Sequence, residues 1–397
     1  MKGRREAIVA LLALSAALAV VAGAYAATNK AGSSESASAL PGKQRSCISR
    51  ARIGFSGPLT GDAGFLGQEQ LSWSQFALSR FNRANRTTLR IVQGDTQLDP
   101  ALSTTVSRQF VSNRRILGMI GPSTSQGVIS SKDAAQPARL AMVSPSATRP
   151  SLTIGAREGG NTFFRNVPHD AVQGPTISNF IVRRLRFDNV VIVEVRANPY
   201  STALADIVAQ GLRAANVEVT RLTVESDQRD YSTTVTRVPN DADIVVLPWQ
   251  QPPDAQTFAN QLRLQGKRAI VFGSDGTYSP DQFKPVSAYA SSFAPDLHFV
   301  PAQRAIVAAY NRFSRNKTFG TFGPPSYMST QIIAAAIKRA CVNGRATRTE
   351  VLGNVRRTNM PSILGGRVRF NAVGDVSGAA FFVFRITNGN YAPAPAP

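Results

Sequence analysis

Residues 53–67 read IGFSGPLTGDAGFLG, and residues 144–152 read SPSATRPSL. The first opens on the apolar run 53–55, and the second follows the apolar run 140–143. Both then break into Gly, Ser and Thr where a helix should begin. A strand that ends this way leaves backbone N–H groups and hydroxyls free to hold an anion. Two such loops in one α/β unit predict a cleft that grips a small carboxylate.

The pattern on either side of these loops is a serial alternation of short β-rich runs and longer helical ones. Strands are expected at 51–55, 89–92, 116–120 and 140–143, with helices at 69–82, 101–113 and 125–136. In the helix over 69–82, Leu71, Phe76, Leu78 and Phe81 are the expected buried positions. The rhythm restarts after 163–167, with helices at 171–184, 200–215 and 254–265. Strands fall between them at 190–195, 217–224, 244–247 and 269–272. Strand–helix–strand repeats of this kind predict parallel sheets covered on both faces. Two such series in succession predict two doubly wound lobes of related architecture, not one large sheet. Beyond them, a helix at 327–340 and β-rich segments at 368–370 and 380–386 could complete either lobe.

At 397 residues the chain is long enough for two domains with separate cores. Residues 1–26 have the pattern of a secretory signal. Lys2, Arg4 and Arg5 precede an apolar run that ends in the A-x-A site Ala24-Tyr25-Ala26. The alternative is an uncleaved anchor, because 7–26 is nearly long enough to span a bilayer. No lipobox precedes Cys47, whose upstream residues Lys43-Gln44-Arg45-Ser46 are polar and charged. Residues 27–50 read as a flexible linker, and 391–397, ending in APAPAP, as a disordered or extended tail.

The net charge of +21 is dispersed in single residues and pairs such as Arg114-Arg115, Arg183-Arg184 and Arg356-Arg357. There is no dense basic run and no aromatic interleaving, so the pattern is a solvated basic surface and not a nucleic-acid footprint. The two cysteines, Cys47 and Cys341, are candidates for a disulfide in an exported chain, with two separate buried thiols as the alternative.

Catalytic signatures are scarce. His169 and His298 are the only histidines, and neither has acidic or cysteine neighbours at metal-ligand spacing. No G-x-S-x-G, P-loop or G-x-G-x-x-G motif occurs. This favours binding over turnover, with no cofactor implied. His169 precedes Asp170, which reads as a helix N-cap, and so has a local capping or surface role.

Six stretches now align in order with one family: GPLTGDAGFLGQ, IGPSTSQGV, MVSPSATRPSL, FFRNVPHDAVQGP, NPYSTALADIVAQGL and VFGSDG. They resemble the periplasmic Leu/Ile/Val-binding proteins, the type I solute-binding components of branched-chain amino-acid ABC transporters. The resemblance runs from about Arg52 to Ile386. It implies a Venus flytrap: two α/β lobes joined by a three-strand hinge, with the ligand between them. The expected division is 51–165 with 295–370 as one lobe and 166–294 with 371–390 as the other. The crossings then fall near 165–167, 293–295 and 370–371. Both cysteines would then belong to the first lobe.

The resemblance also implies a site. The ligand α-carboxylate would meet a serine after the third strand, Ser123 or Ser125, and the loop of Ser146, Ala147 and Thr148. The ammonium would meet Asp275 in the turn Gly273-Ser274-Asp275-Gly276, with Tyr200 lining the second lobe. Phe65 and Leu66 stand where many relatives place an aromatic over the ligand, and Trp249 is a further candidate wall. The implied function is an extracytoplasmic, monomeric protein that passes an amino acid to a membrane ABC permease. A branched-chain side chain is one option within that class, as is a related carboxylate or amide. A ligand-sensing flytrap without a transport role is the alternative.

Overall fold

The computed structural model describes residues 40–395; the expected signal at 1–26 and most of the expected linker lie outside them. The described chain opens with helix α1 (Gly42–Arg50), strand β1 (Arg52–Gly57) and helix α2 (Gly64–Asn85). Strands β2 (Arg90–Asp95), β3 (Ile116–Ile120), β4 (Ala141–Ser144) and β5 (Phe163–Arg165) follow, with α3 (Pro100–Ser112) and α4 (Ser125–Ala135) between them. These five strands form one parallel sheet in the order β2-β1-β3-β4-β5. Every residue of β3 and β4 is buried, as expected of parallel strands covered on both faces.

The chain then enters α5 (Asp170–Asn179), which a wide turn over Phe180–Leu185 prolongs. Strand β6 (Asn189–Val195), α6 (Pro199–Ala214), β7 (Glu218–Val224), α7 (Ser232–Thr236) and β8 (Ile244–Leu247) come next. They are followed by α8 (Pro252–Leu264), β9 (Ile270–Gly273) and β10 (Ser287–Ser292). Three helices follow, α9 (Arg304–Ser314) against α2, and α10 (Gly323–Ala340) and α11 (Arg348–Arg356) against β3 and β4, and then a small hairpin of β11 (Asn359–Pro361) and β12 (Arg367–Arg369). The chain ends in β13 (Phe382–Thr387) and β14 (Asn390–Pro393). The second sheet has the order β14-β13-β10-β9-β8-β6-β7, parallel except for the antiparallel pairs that β13 makes with β10 and β14.

Strand periodicity builds the second sheet's two cores. Val191, Val193, Val245 and Leu247 pack into one face, while Val190, Ile192, Ile244 and Val246 pack into the other. Successive side chains on a strand point to opposite faces, so one apolar run serves both helix layers. Caps set the helix starts. The Asn198 side chain accepts from the N–H groups of Tyr200 and Ser201 at the head of α6. Thr124 does the same for Gly127 at α4, and Thr347 with Glu350 closes a capping box at α11.

Two expectations are corrected here. The flexible linker does not extend to 50: residues 42–50 form α1, whose Gln44, Cys47 and Ile48 are buried at i, i+3, i+4 spacing. Gln44 Nε2 donates to Lys338 O at 2.9 Å, and Cys47 is bonded to Cys341, with Cα atoms 5.7 Å apart. Nor is the tail disordered throughout, because Asn390–Pro393 pairs with β13 and Tyr391 donates its hydroxyl to Phe283 O at 2.8 Å. Pro393 is tolerated there because β14 is an edge strand. Helices α9 and α11 and strand β10 had no counterpart in the sequence pattern.

The disulfide closes a sequence separation of 294 residues, so it restricts the unfolded chain strongly. Replacing both cysteines by serine should lower the unfolding free energy by about 4–5 kcal/mol in a urea titration. An unchanged midpoint would show that the bridge does not constrain the exported protein.

Candidate functional site

The loops after β3 and β4 lie side by side, and their hydroxyls fall into two groups. Ser146 Oγ donates to Ser123 O at 2.5 Å and accepts from Gln70 Nε2 at 2.7 Å. Ser123 Oγ donates to the other end of the same amide, Gln70 Oε1, at 2.6 Å. Gln70 is fully buried on α2, so one amide clamps both loops. The hydroxyls of Ser123 and Ser146 are therefore committed to protein partners. Ser125 Oγ accepts from Arg149 N at 3.2 Å, which leaves its own proton to donate. Thr148 Oγ1 is buried and has no hydrogen-bond partner. Ala147 is fully buried in the core beneath the first sheet's helices.

A buried guanidinium holds the Thr148 loop from below. Arg165, at the end of β5, donates from Nη1 to Arg149 O at 2.7 Å and to Ala147 O at 3.3 Å. Its Nε meets Asp375 Oδ1 at 2.6 Å. Just beyond it, Asp170 N donates to Thr148 O at 2.8 Å. The head of α5 is thereby tied to the loop.

Asp170 was expected to be a helix cap. Instead His169 holds the N-cap position without a side-chain cap bond, and Asp170 is the first helical residue. Its carboxylate is fully buried, and neither oxygen has a partner of acceptable geometry, although the Thr148 hydroxyl is near enough to favour its charged form. Gln173, one turn on, is also fully buried and donates to both Asp275 Oδ1 and Ser291 Oγ. Tyr200 Oη donates to Asp275 Oδ1 at 2.6 Å.

Two carboxylates thus share one water-excluded place. Burial pushes the Asp170 carboxyl up to about 8, and the charge of Asp275 adds to this. Burial raises Asp275 to about 6, with the hydrogen bonds from Tyr200 and Gln173 limiting the rise. The Tyr200 phenol is raised well above its ordinary value by burial, then by Asp275 and Asp170. The charges of Arg165 and Arg149 reach Asp170 and oppose part of its rise, but among the described residues no cation is ion-paired with either carboxylate. Polar groups from the second sheet also meet the first across this cleft: Gln126 Nε2 donates to Gln250 Oε1 at 3.2 Å, Arg149 Nη1 to Pro199 O at 2.5 Å, and Arg229 pairs with Asp62 at 2.6 Å.

Other expected wall residues behave differently. Trp249 does not line the cleft. It is buried against Tyr231 and Phe258, and its Nε1 donates to Val193 O at 2.6 Å, deep in the second core. Its neighbour Gln250 reaches the cleft instead. Leu66 and Phe65 join Phe293, Phe322, Val167 and Val172 in an apolar cluster. Leu66 lies one turn before Gln70 on α2, and Val172 one residue before Gln173 on α5, so the cluster joins the same two helices that carry those amides. Among the described residues no cluster of His, Cys, Asp and Glu has the form of a metal site.

Residues 50–390 match the family model described as periplasmic binding protein. The chain belongs to that family. It is 24% identical over 341 residues to the Leu/Ile/Val-binding protein of Citrobacter freundii, covering 84% of this chain and 90% of that one. A leucine-binding protein from Thermotoga maritima superposes with a TM-score of 0.77 at 18% identity, over 87% of this chain and 98% of that one. The branched-chain amino-acid transporter substrate-binding protein of Streptococcus pneumoniae, solved with isoleucine, gives 0.74 at 22% identity, over 86% and 98%. The periplasmic binding fold here is two doubly wound α/β lobes joined by three crossings of the chain.

Asp170, Gln173 and Gln70 were missed in the sequence. Asp170 looks like an ordinary cap, and only its i, i+3 pairing with Gln173 on one helix face hinted at more. The buried acids have a measurable consequence in this family member. Each has a folded pKa above its unfolded value, so protonation favours the folded chain. That stabilisation is complete below the ordinary carboxyl range. It is lost as pH rises through about 6 for Asp275 and about 8 for Asp170. Glu69, raised to about 7 by burial, acts in the same direction. The melting temperature of the ligand-free protein should therefore fall from about pH 5 to about pH 8.5, and Asp170→Asn should flatten the upper part of that fall. A melting temperature that climbs over this range would contradict the assignment.

Proposed function

We propose that this chain is an extracytoplasmic solute-binding protein that captures a small α-amino acid between its lobes and delivers it to an ABC permease. The observation that carries the reading is the pair Asp170 and Asp275, buried together without an ion-pair partner among the described residues, beside the Thr148 hydroxyl that has no hydrogen-bond partner of acceptable geometry. Buried carboxylates are costly unless paired, and an α-ammonium supplies the missing charge. Thr148 and Ser125, at the loops after β4 and β3, would hold the carboxylate a few bonds away. Ser123, Ser146 and Gln70 position those loops.

The names of the relatives support the same ligand class. The Leu66, Phe293, Phe322 and Val172 cluster would favour an apolar side chain, within which a branched one is included. Export by the signal at the start of the chain agrees with this role. In this reading 51–165 and 295–370 form one lobe and 166–294 and 371–390 the other. The lobes close by rotation about the three crossings, and ligand contacts to both of them stabilise the closed state.

The two ends of the ligand can be tested separately by calorimetry with leucine and its des-amino analogue. Thr148→Ala should weaken both by roughly 1–3 kcal/mol. Asp275→Asn should penalise leucine by a similar amount and spare the analogue, because only the partner of the ammonium loses its charge. Equal losses for both compounds in Asp275→Asn would remove the amino-acid reading.

A further inference from the structure

A second feature lies on the outer helices of the first lobe, away from the cleft. Helices α2 and α9 form a groove of about 570 Å³ lined by Arg80, Arg83 and Arg312 with Phe76 and Phe313. The three arginines are exposed, and none has a carboxylate partner among the described residues. The Arg80 guanidinium lies over the Phe76 ring at 5.5 Å. Phe313 is 41% exposed although it is a large aromatic.

The charge of the surrounding helices is one-sided. Among α1, α2, α9, α10 and α11 the only acidic side chains are Glu69 and Glu350. Glu69 is turned inward onto the N–H groups of Gly320 and Gly323, and Glu350 closes the capping box of α11. Residues 51–165 with 295–370 hold 25 Lys and Arg against 8 Asp and Glu, whereas 166–294 with 371–390 hold 13 against 14. The excess positive charge is thus concentrated on one lobe's helix layer instead of spread evenly.

We propose that this layer, centred on the α2–α9 groove, docks onto an anionic phospholipid bilayer. Guanidinium groups bind headgroup phosphates through paired N–H donors. Each basic side chain near an anionic leaflet adds to the attraction, which is screened beyond a Debye length. An exposed phenylalanine at the level of the arginines suits the boundary between headgroups and acyl chains. A positive field that extends over several helices fits an extended anionic surface better than a single small anion. Docked this way, the protein would stay near the membrane with its cleft on another face.

The test is co-sedimentation of the full-length protein with phosphatidylcholine vesicles and with vesicles containing phosphatidylglycerol. Because Lys2, Arg4 and Arg5 would themselves favour anionic lipid, each variant is read against the unaltered full-length chain, in which that contribution is the same. Binding should be stronger to the anionic vesicles and should fade at high salt. R80Q/R83Q/R312Q should weaken that preference roughly tenfold or more, and F313S should also weaken it. A control, R183Q/R184Q/R263Q, removes the same charge from the second lobe and should leave the preference near wild type. All variants should keep the wild-type melting temperature. No preference for anionic vesicles, or an equal loss in the second-lobe control, would overturn the proposal. Loss in the arginine variant with none in F313S would describe a general polyanion groove and would also overturn the bilayer assignment.

Discussion

The structure depends on one buried ion pair, between Arg165 and Asp375. Arg165 stands at the end of β5, the last strand of the first sheet, and Asp375 lies on the final crossing toward the second. The pair therefore joins two of the three passages between the lobes. Thr153 adds its hydroxyl to Asp375 at 2.9 Å. Burying a guanidinium and a carboxylate is tolerable only when both are fully hydrogen-bonded, and removing one partner costs about 3–5 kcal/mol. The pair, with the β-bridge between the same two residues, fixes the end of β5 beside the last crossing.

From that pair the order spreads to the candidate site. The remaining guanidinium donors fix the carbonyls of Ala147 and Arg149, which sets the loop carrying Thr148. The loop in turn receives the Asp170 N–H, so the first turn of α5 is placed against it. Gln70 clamps the neighbouring Ser123 and Ser146 from α2. The result is a frame whose own polar groups are paired, around a few that are not: Thr148 Oγ1, both Asp170 oxygens and Gln173 Oε1. Unpaired buried polar atoms are rare because they are costly. This set offers one hydroxyl, one carboxylate and one amide oxygen, with the hydrogen-bonded carboxylate of Asp275 beside them, a donor and acceptor pattern that complements a zwitterion.

Much of this architecture was legible in the sequence. The strands β3, β4 and β8 are almost wholly apolar runs, and helices α3, α4 and α6 begin at the caps Asp99, Thr124 and Asn198, two of them followed by proline. The loop Ser146–Thr148 and the turn at Asp275 were also readable, by likeness to a family and by their place after strands. The failures have physical causes. Helix α1 is polar on most of its surface and is held by a disulfide and a side-chain amide, neither of which leaves an apolar period. Strand β14 contains proline and forms only because an open edge of β13 receives it. Trp249 was expected in the cleft because it follows a strand end, yet its indole N–H finds Val193 O in the core. Asp170 was hidden for the opposite reason. An acid in the first turn of a helix is unremarkable in sequence, and only burial without a partner sets it apart.

The central claim is that two buried carboxylates receive an ammonium. At pH 7 the Asp170 carboxyl, raised to about 8, is mostly protonated, whereas an ammonium beside it would favour the charged form. Binding should then release a proton. Isothermal titration of the protein with leucine at pH 7, in two buffers of different ionisation enthalpy, counts that proton directly. The account predicts release of roughly one proton per ligand bound, falling towards zero in Asp170→Asn. Proton uptake, or no exchange in the unaltered protein, would contradict it.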